Sequence, residues 1–177
     1  GHHGDRAEIA AETGFRCGQS EGRAVREIDD LDAAMMLGER VYASLPDIPN
    51  QPDRFGDQPI VDENNDILGF AEKFLVSATE YDVNKLLELV HSFGGLFVPA
   101  HIDRPVFGIV SQLGFLPSED FDAVELTEKG DVALARQYPV LRNSDSHHLE
   151  TLGAAYSELY MDSVTVPHVR AALRTRG

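Results

Sequence analysis

The stretch GGLFVPAHIDR, residues 94–104, joins a short apolar run to a polar loop. Two glycines end the helical pattern over 85–93, and the run LFVPA at 96–100 has the length and composition of a buried strand. The loop after this run begins with His101 and extends to Arg104. In parallel α/β folds, functional side chains gather in the loops at the carboxyl ends of the strands. We therefore predict a functional site at this loop.

A second segment of the chain has the same organisation. PVLR at 139–142 is a strand-like run, and the polar stretch NSDSHH at 143–148 comes directly after it. Side chains two positions apart in an extended segment point to the same face, so Asp145 and His147 offer a carboxylate and an imidazole to one cleft. If both strands lie in one sheet, His101 joins them at the same edge. Zinc, manganese and iron accept such mixed ligands.

Each of these residues also has a structural interpretation. His101 suits a hydrogen-bonded loop residue, Asp145 suits a turn residue that bonds its own backbone, and His147 suits a solvated loop. A Ser-His-Asp triad built on Ser144 or Ser146 is disfavoured, because no Gly-x-Ser-x-Gly turn occurs in the sequence.

Other chemically capable side chains are assigned structural roles. Cys17 has no identifiable activating partner, and His91 lies among apolar positions of a helix. Glu125 lies near the end of a strand-like run, where it either faces the same edge or, as we favour, is a solvated carboxylate. The pair Met35 and Met36 is predicted to lie in the core.

Outside the two loops, strand-like and helical patterns alternate along the chain. Helices are predicted over 5–13, 30–45, 85–93, 106–113 and 131–138 and from Pro167, and strands over 15–17, 96–100, 123–126, 139–142 and 157–161. Four prolines mark an excursion or insertion at about 46–69, which contains a small hairpin. The run EKFLVSAT at 72–79 fits helix or strand equally. The alternation predicts an α/β fold with parallel βαβ units in one sheet or open barrel.

Composition limits the classes of protein to consider. The chain has 177 residues, 42% of them hydrophobic and 25% charged, which favours one globular domain over 5–177. Its 15 basic and 30 acidic residues give a net charge of −15, so we expect no long nucleic-acid partner and no membrane surface. A small phosphorylated molecule can still bind where cations in a cleft reverse the local sign.

The chain termini and the cysteine count complete this picture. A single cysteine and no apolar run near 18 residues predict no intrachain disulfide and no membrane span, and hence a cytoplasmic setting. The opening GHHG at 1–4 is consistent either with a tag remnant or with a chain that begins part-way through a larger protein.

The two loop segments resemble motifs of the polymerase and histidinol phosphatase (PHP) family of metal-dependent phosphoesterases. GGLFVPAHIDR resembles the late Pro-Ala-His motif of that family, and RNSDSHH at 142–148 resembles its final Ser-Asp-x-His motif. LGFLP at 113–117 and the segment 41–63 resemble an insertion found in one branch. The likeness spans roughly residues 30–165.

This resemblance implies an incomplete or irregular (β/α)7-type PHP barrel with divalent ions at the carboxyl ends of its strands. It implies that His101, Asp145 and His147 are ligands to Zn, Mn or Fe, and that Arg104 contacts the phosphate of the substrate. The implied function is metal-dependent hydrolysis of a small phosphorylated substrate.

The early motifs of the family are not matched. No His-x-His occurs, and GHHG resembles the residues after Thr-Asp in the second motif, so that His2 or His3 corresponds to a ligand if upstream residues are missing. Glu21 stands near the position of a ligand Glu, whereas Arg26, which carries only donors, stands where a ligand His is expected. The alternative function is therefore a catalytically incomplete PHP-like module that binds a ligand or partner.

Overall fold

The computed structural model describes residues 13–17, 20–25 and 31–175. The helices are α1 (Leu31–Ala43), α2 (Pro52–Phe55), α3 (Val83–Ser92), α4 (Ile109–Leu113) and α5 (Val166–Arg174), with 3₁₀ helices at Val132–Ala135 and Leu149–Thr151. The strands are β1 (Thr13–Cys17), β2 (Ser20–Val25), β3 (Pro59–Val61), β4 (Ile67–Phe70), β5 (Val98–Pro99), β6 (Val124–Glu125) and β7 (Val140–Leu141). None of the helices in these ranges has the length and hydrophobicity needed to cross a membrane.

Three strands that run in the same direction position the loops of interest. β6 and β7 pair in parallel. β5 runs beside β6 in the same direction, because Asp122 N donates to Phe97 O over 3.1 Å and Ile102 N donates to Glu125 O over 2.9 Å. β2 covers the other side of β5 as an antiparallel neighbour. The carboxyl ends of β5, β6 and β7 consequently lie at one edge, while the (β/α)7-type barrel implied by the resemblance stays a prediction.

The core lies between these strands and the helices packed on them. The side chains Leu86, Leu87 and Val90 of α3 are buried together with Leu37 and Val41 of α1. Burying one such side chain contributes about 1.5–3 kcal/mol to stability. The Asp82 side chain accepts a hydrogen bond from Lys85 N and so caps α3.

A second apolar cluster joins α5 to the strands. Val166, Val169 and Leu173 of α5 pack with Val98 of β5 and with Ala123, next to β6. These residues lie at helical spacing on one face of α5. Both sides of the strand layer are thus covered near β5 and β6.

Several predicted elements are confirmed and others are shorter than predicted. The helices over 30–45, 85–93 and from Pro167 correspond to α1, α3 and α5, and the hairpin in the excursion corresponds to β3 paired antiparallel with β4. The helix predicted over 131–138 is a 3₁₀ helix of four residues, and it ends at Arg136, whose φ is 53°. The helix predicted over 5–13 lies outside the described residues apart from Thr13, which begins β1.

Two predictions about single segments are wrong. Residues 157–161 form no strand, because the Ser157 hydroxyl accepts from Arg142 N and donates to Arg142 O in place of a backbone ladder. Met35 and Met36 are 58% and 52% exposed instead of lying in the core. The buried side of α1 is set by Leu37 and Val41, one turn apart, and both methionines lie off that stripe.

The segment predicted as an insertion leaves the domain and returns to nearly the same point. Its two ends are joined where Asn50 N donates to Glu72 O over 2.9 Å and the Lys73 side chain donates to Leu45 O over 2.9 Å. The boundaries of the insertion stay a prediction. The run 72–79, which fits helix or strand by pattern, forms neither helix nor strand.

Candidate functional site

His101 and Asp145 meet at the edge where β5 and β7 end. His101 Nε2 lies 3.2 Å from Asp145 Oδ2, and the histidine is only 7% exposed. Both residues have φ of 45°, in the left-handed region that non-glycine residues rarely adopt. Such a conformation persists only where the surrounding contacts impose it, and it concentrates at functional sites.

Arg104 contacts the same carboxylate. Its guanidinium donates a hydrogen bond to Asp145 Oδ2, and about a third of the arginine side chain is exposed. Burial raises the pKa of Asp145, but the hydrogen bond from Arg104 and the positive charge of His101 outweigh burial and hold that pKa below its usual value. Asp145 is therefore ionised at neutral pH.

His147 lies on the outer side of Asp145. Its Nε2 atom is 3.6 Å from Asp145 Oδ1, and 61% of the side chain is exposed. The four residues predicted from the sequence are thus brought together: His101, Arg104 and His147 all lie at the carboxylate of Asp145. Their proposed roles as ligands and as a phosphate contact stay predictions.

Glu125, at the carboxyl end of β6, is a fifth member of this group. It is only 4% exposed, and its Oε2 atom lies 3.5 Å from His101 Nδ1. The Asn143 amide donates to Glu125 Oε1 over 3.0 Å. Burial raises the pKa of Glu125, with a further contribution from the charge of Asp145, against the opposing effects of His101 and Asn143.

The interpretation of Glu125 as a solvated carboxylate is therefore wrong. The other interpretation, that Glu125 faces the same edge as His101, fits its position. Like His101, Glu125 stands where an apolar run in an α/β pattern ends. Polar side chains at the ends of the adjacent strands β5, β6 and β7 thus lie at one edge.

Backbone geometry fixes the loop that begins at His101. Arg104 N donates to His101 O over 2.8 Å, and Gly108 N donates to Arg104 O over 2.8 Å. A Cβ atom at Gly108 would lie 2.6 Å from Ile102 O and 2.7 Å from both N and O of Arg104. Only glycine fits this close approach of the backbone to itself.

Hydrogen bonds from the neighbouring loops hold the site edge together. Asp103 Oδ1 accepts from Thr127 N over 2.8 Å, which joins the loop after β5 to the loop after β6. Arg142 donates to the carbonyl oxygens of Thr127, Glu128 and Gly130, which joins β7 to the loop after β6. The side chains of the site are thus presented from loops that are tied to one another.

The donor atoms at this edge match a metal site in kind but not in number. Imidazole nitrogens and carboxylate oxygens are ligands that Zn, Mn and Fe accept. Within the part of the chain that the structure describes, however, no group of three or more His, Cys, Asp or Glu side chains has the geometry to hold a metal ion. The described residues by themselves do not form a complete metal centre.

The other candidate ligands stay predictions. His2 and His3 lie outside the described residues, as does Arg26, which stands where a ligand His is expected. Glu21 is in β2, where it pairs with Arg16 of β1.

His91 has the structural role that the sequence predicts. Its Nε2 atom lies 2.8 Å from Asp122 Oδ2, and Asp122 also accepts from Phe97 N and from Arg170 Nε. This network joins α3, the strand layer and α5 and lies apart from the site edge.

Comparison with known proteins identifies a relative by sequence and a solved structure by fold. No protein-family model matches the chain. Over 102 residues, half of this chain, the sequence is 39% identical to the uncharacterized protein YqxK of Bacillus subtilis, of which it covers 26%. The fold is similar to that of the lesion-specific endonuclease PfuEndoQ from Pyrococcus furiosus, with a TM-score of 0.62 and 18% identity. That match covers 90% of this chain and 36% of the endonuclease.

The likeness contradicts the expectation that no long nucleic acid is a partner. An endonuclease has a similar fold over 90% of this chain, so the net charge is no ground for excluding a long nucleic acid. The expectation rested on a net charge of −15, which averages over the whole surface. Binding responds instead to the local field of a cleft, which an arginine and bound cations can make positive.

Proposed function

We propose that this chain supplies part of the active centre of a PHP-type, divalent-metal-dependent phosphoesterase that cleaves nucleic acid. The observation that carries the proposal is the contact between His101 and Asp145, which come from separate loops at the ends of co-directional strands. A buried imidazole beside an ionised carboxylate is a suitable pair of metal ligands. Both loops also carry the residues that resemble the late PHP motifs.

In this proposal His101, Asp145 and His147 are metal ligands, and at least one further ligand comes from outside the described residues. A divalent ion bound there would act as a Lewis acid and stabilise negative charge on the phosphate oxygens. His101 is held by its buried loop, and Asp145 accepts the hydrogen bond from Arg104 that fixes its orientation. The exposed part of the Arg104 guanidinium is available to a phosphate oxygen.

A nucleic-acid substrate is proposed because of the likeness to PfuEndoQ, a lesion-specific endonuclease. A phosphodiester presents the same charged oxygens to the site as any phosphate ester. Arg104 and the proposed ions would provide the local positive potential that the chain as a whole lacks.

One observation favours a second candidate function, a module that binds a ligand or partner without catalysis. The described residues alone hold no complete metal site, and a centre that lost ligands would retain the same fold. Such a module would bind nucleic acid or metal weakly and would not turn substrate over.

The test uses the full-length natural protein, purified without a histidine tag and loaded with Mn²⁺ or Zn²⁺. Metal content is measured by mass spectrometry, and cleavage is measured on intact and base-damaged DNA duplexes. We expect His101→Ala and Asp145→Asn to lower metal affinity at least about 10-fold and to abolish cleavage. His168→Ala, on α5, is the matched control and should change neither.

Each outcome distinguishes between the two functions. Cleavage that depends on metal, His101 and Asp145 supports the phosphoesterase. Metal binding without cleavage on any of the substrates supports the binding module. Metal content that is unchanged in both variants would remove the proposed centre altogether.

A further inference from the structure

Glu125 is buried at the centre of the site edge, although a buried carboxylate is unfavourable unless polar partners surround it. Its two oxygens have different neighbours. Oε1 accepts from the Asn143 amide over 3.0 Å, and Oε2 faces His101 Nδ1 at 3.5 Å. Asn143 thus holds the carboxylate by one oxygen and directs the other to the histidine.

The imidazole of His101 has one nitrogen directed to each side of the site. Nε2 faces Asp145 at 3.2 Å, at the cleft. Nδ1 is buried, and among the described residues it makes no hydrogen bond. Glu125 Oε2 is the acceptor that faces this nitrogen, and at 3.5 Å it lies just beyond the usual length of an N–H···O hydrogen bond.

We propose that Glu125 is a positioning residue that accepts the Nδ1–H of His101 and thereby fixes the orientation of the ring. With Nδ1 bound to Glu125, Nε2 is the nitrogen held at the cleft, where Asp145 lies 3.2 Å away. A histidine that ligates a metal commonly donates its other N–H to a carboxylate in this way, and the carboxylate fixes ring orientation. The consequence for a bound ion rests on the proposed function, whereas the pairing of Glu125 with His101 does not.

A merely structural role for Glu125 predicts something different. If Glu125 only fills space next to Asn143, its removal would alter stability and leave the protonated nitrogen of His101 unchanged. The position of the imidazole proton is therefore the decisive measurement, and it requires no metal and no substrate.

The first experiment records long-range ¹H–¹⁵N spectra of the histidine side chains in the metal-free, full-length protein. The signals of His101 are those that are absent from the spectrum of His101→Gln. We expect a proton on Nδ1 in the natural protein, and we expect Glu125→Leu, which keeps the volume and removes the acceptor, to remove the proton from Nδ1. Glu128→Leu, which removes an exposed carboxylate from the loop after β6, is the control and should leave the signals unchanged.

Two results would overturn the positioning role. One is a natural protein in which Nδ1 of His101 carries no proton. The other is a Glu125→Leu protein, shown to be folded by circular dichroism, in which Nδ1 keeps its proton. If Glu125→Leu does not fold, Glu125→Ala removes the same acceptor and the same two readings apply.

The second experiment measures Mn²⁺ affinity by competition with a chelating dye. We expect Glu125→Leu to weaken binding about 10- to 100-fold, while Glu128→Leu stays within about 2-fold of the natural protein. Unchanged affinity in Glu125→Leu overturns the positioning role alone. A natural protein that binds neither Mn²⁺ nor Zn²⁺ overturns the proposed function, and the proton position still decides the role of Glu125.

Discussion

Asp103 and Thr127 connect the loops after β5 and β6, since Asp103 Oδ1 accepts from Thr127 N over 2.8 Å and Oδ2 accepts from the Thr127 hydroxyl. The carboxylate takes the place of a backbone ladder beyond the end of the two strands. It also holds the backbone two residues after His101. The position of that imidazole thus depends on a side chain that is not itself directed into the site.

Asp103→Ala should therefore lower both stability and metal affinity. The substitution leaves the Thr127 N–H without its acceptor, which costs about 1–3 kcal/mol. Urea unfolding measures the first effect, and the Mn²⁺ titration measures the second. Thr127→Val removes the hydroxyl and keeps the backbone donor, so we expect it to cost less than Asp103→Ala. Equal stability of Asp103→Ala and the natural protein would contradict this role.

Gly108 and Gly38 should respond to alanine in opposite directions. At Gly108 the added Cβ would lie 2.6–2.7 Å from backbone atoms that cannot move independently, so Gly108→Ala should destabilise the protein by about 1–3 kcal/mol. At Gly38, inside α1, nothing lies within 4 Å of the added atom. Gly38→Ala should stabilise by about 0.5–1 kcal/mol, because alanine has the higher helix propensity. Thermal unfolding measures whether each variant is more or less stable than the natural protein. Destabilisation by Gly38→Ala would show that α1 is packed differently.

Arg104→Ala should reduce cleavage more than it reduces metal content. The guanidinium bonds Asp145 and, in the proposed function, a phosphate oxygen of the substrate. Loss of one such charge-stabilising donor lowers the rate about 100-fold. Steady-state cleavage and metal analysis on the same sample separate the two effects. Arg136→Ala, which removes an exposed arginine, is the control for the change in net charge.

If Arg104→Ala loses metal and cleavage in equal proportion, Arg104 acts only by orienting Asp145. Lysine at this position keeps the charge and loses the planar fork of donors, so Arg104→Lys should recover only part of the rate. Full activity in Arg104→Ala would contradict a contact with substrate.

The sequence was sufficient to predict which loops form the site, but not which of its side chains are buried. His101 and Asp145 each lie just beyond an apolar run, and that local pattern predicts a strand end without knowledge of the partner strand. The burial of Glu125 was not predicted, because it depends on Asn143 and His101, which are distant along the chain. From one sequence alone, a carboxylate is expected to be solvated.

The errors in secondary structure have the same origin. Residues 157–161 have strand-like composition, but the Ser157 side chain satisfies the backbone of Arg142 and no ladder forms. Met35 and Met36 are apolar residues of a helix, yet only the packing of Leu37 against the core decides which side of α1 is buried. In both cases a tertiary contact overrides a local preference.

Asp122 should make the stability of the fold depend on pH. Its carboxylate is buried and accepts from Arg170, Phe97 N and His91, which join α3 and α5 to the strands. Burial alone raises its pKa, but these hydrogen bonds and the Arg170 charge lower the pKa below its usual value. The stabilisation is therefore fully present above the unfolded pKa of about 3.9 and is lost as the pH falls through the lower, folded pKa.

Asp122→Asn should accordingly be destabilised at neutral pH, by about 3 kcal/mol if the loss resembles that of one partner of a buried ion pair. The deficit should shrink as the solution is acidified below about pH 4, because the natural protein then loses the same charge. Urea unfolding of both proteins from pH 7 to pH 3 measures the difference. Asp120→Asn, an acidic position outside this network, controls for the loss of one negative charge. A difference between Asp122→Asn and the natural protein that stays constant across this range would show that the carboxylate contributes through shape and hydrogen bonding, and that its charge has no part in holding α5 to the strands.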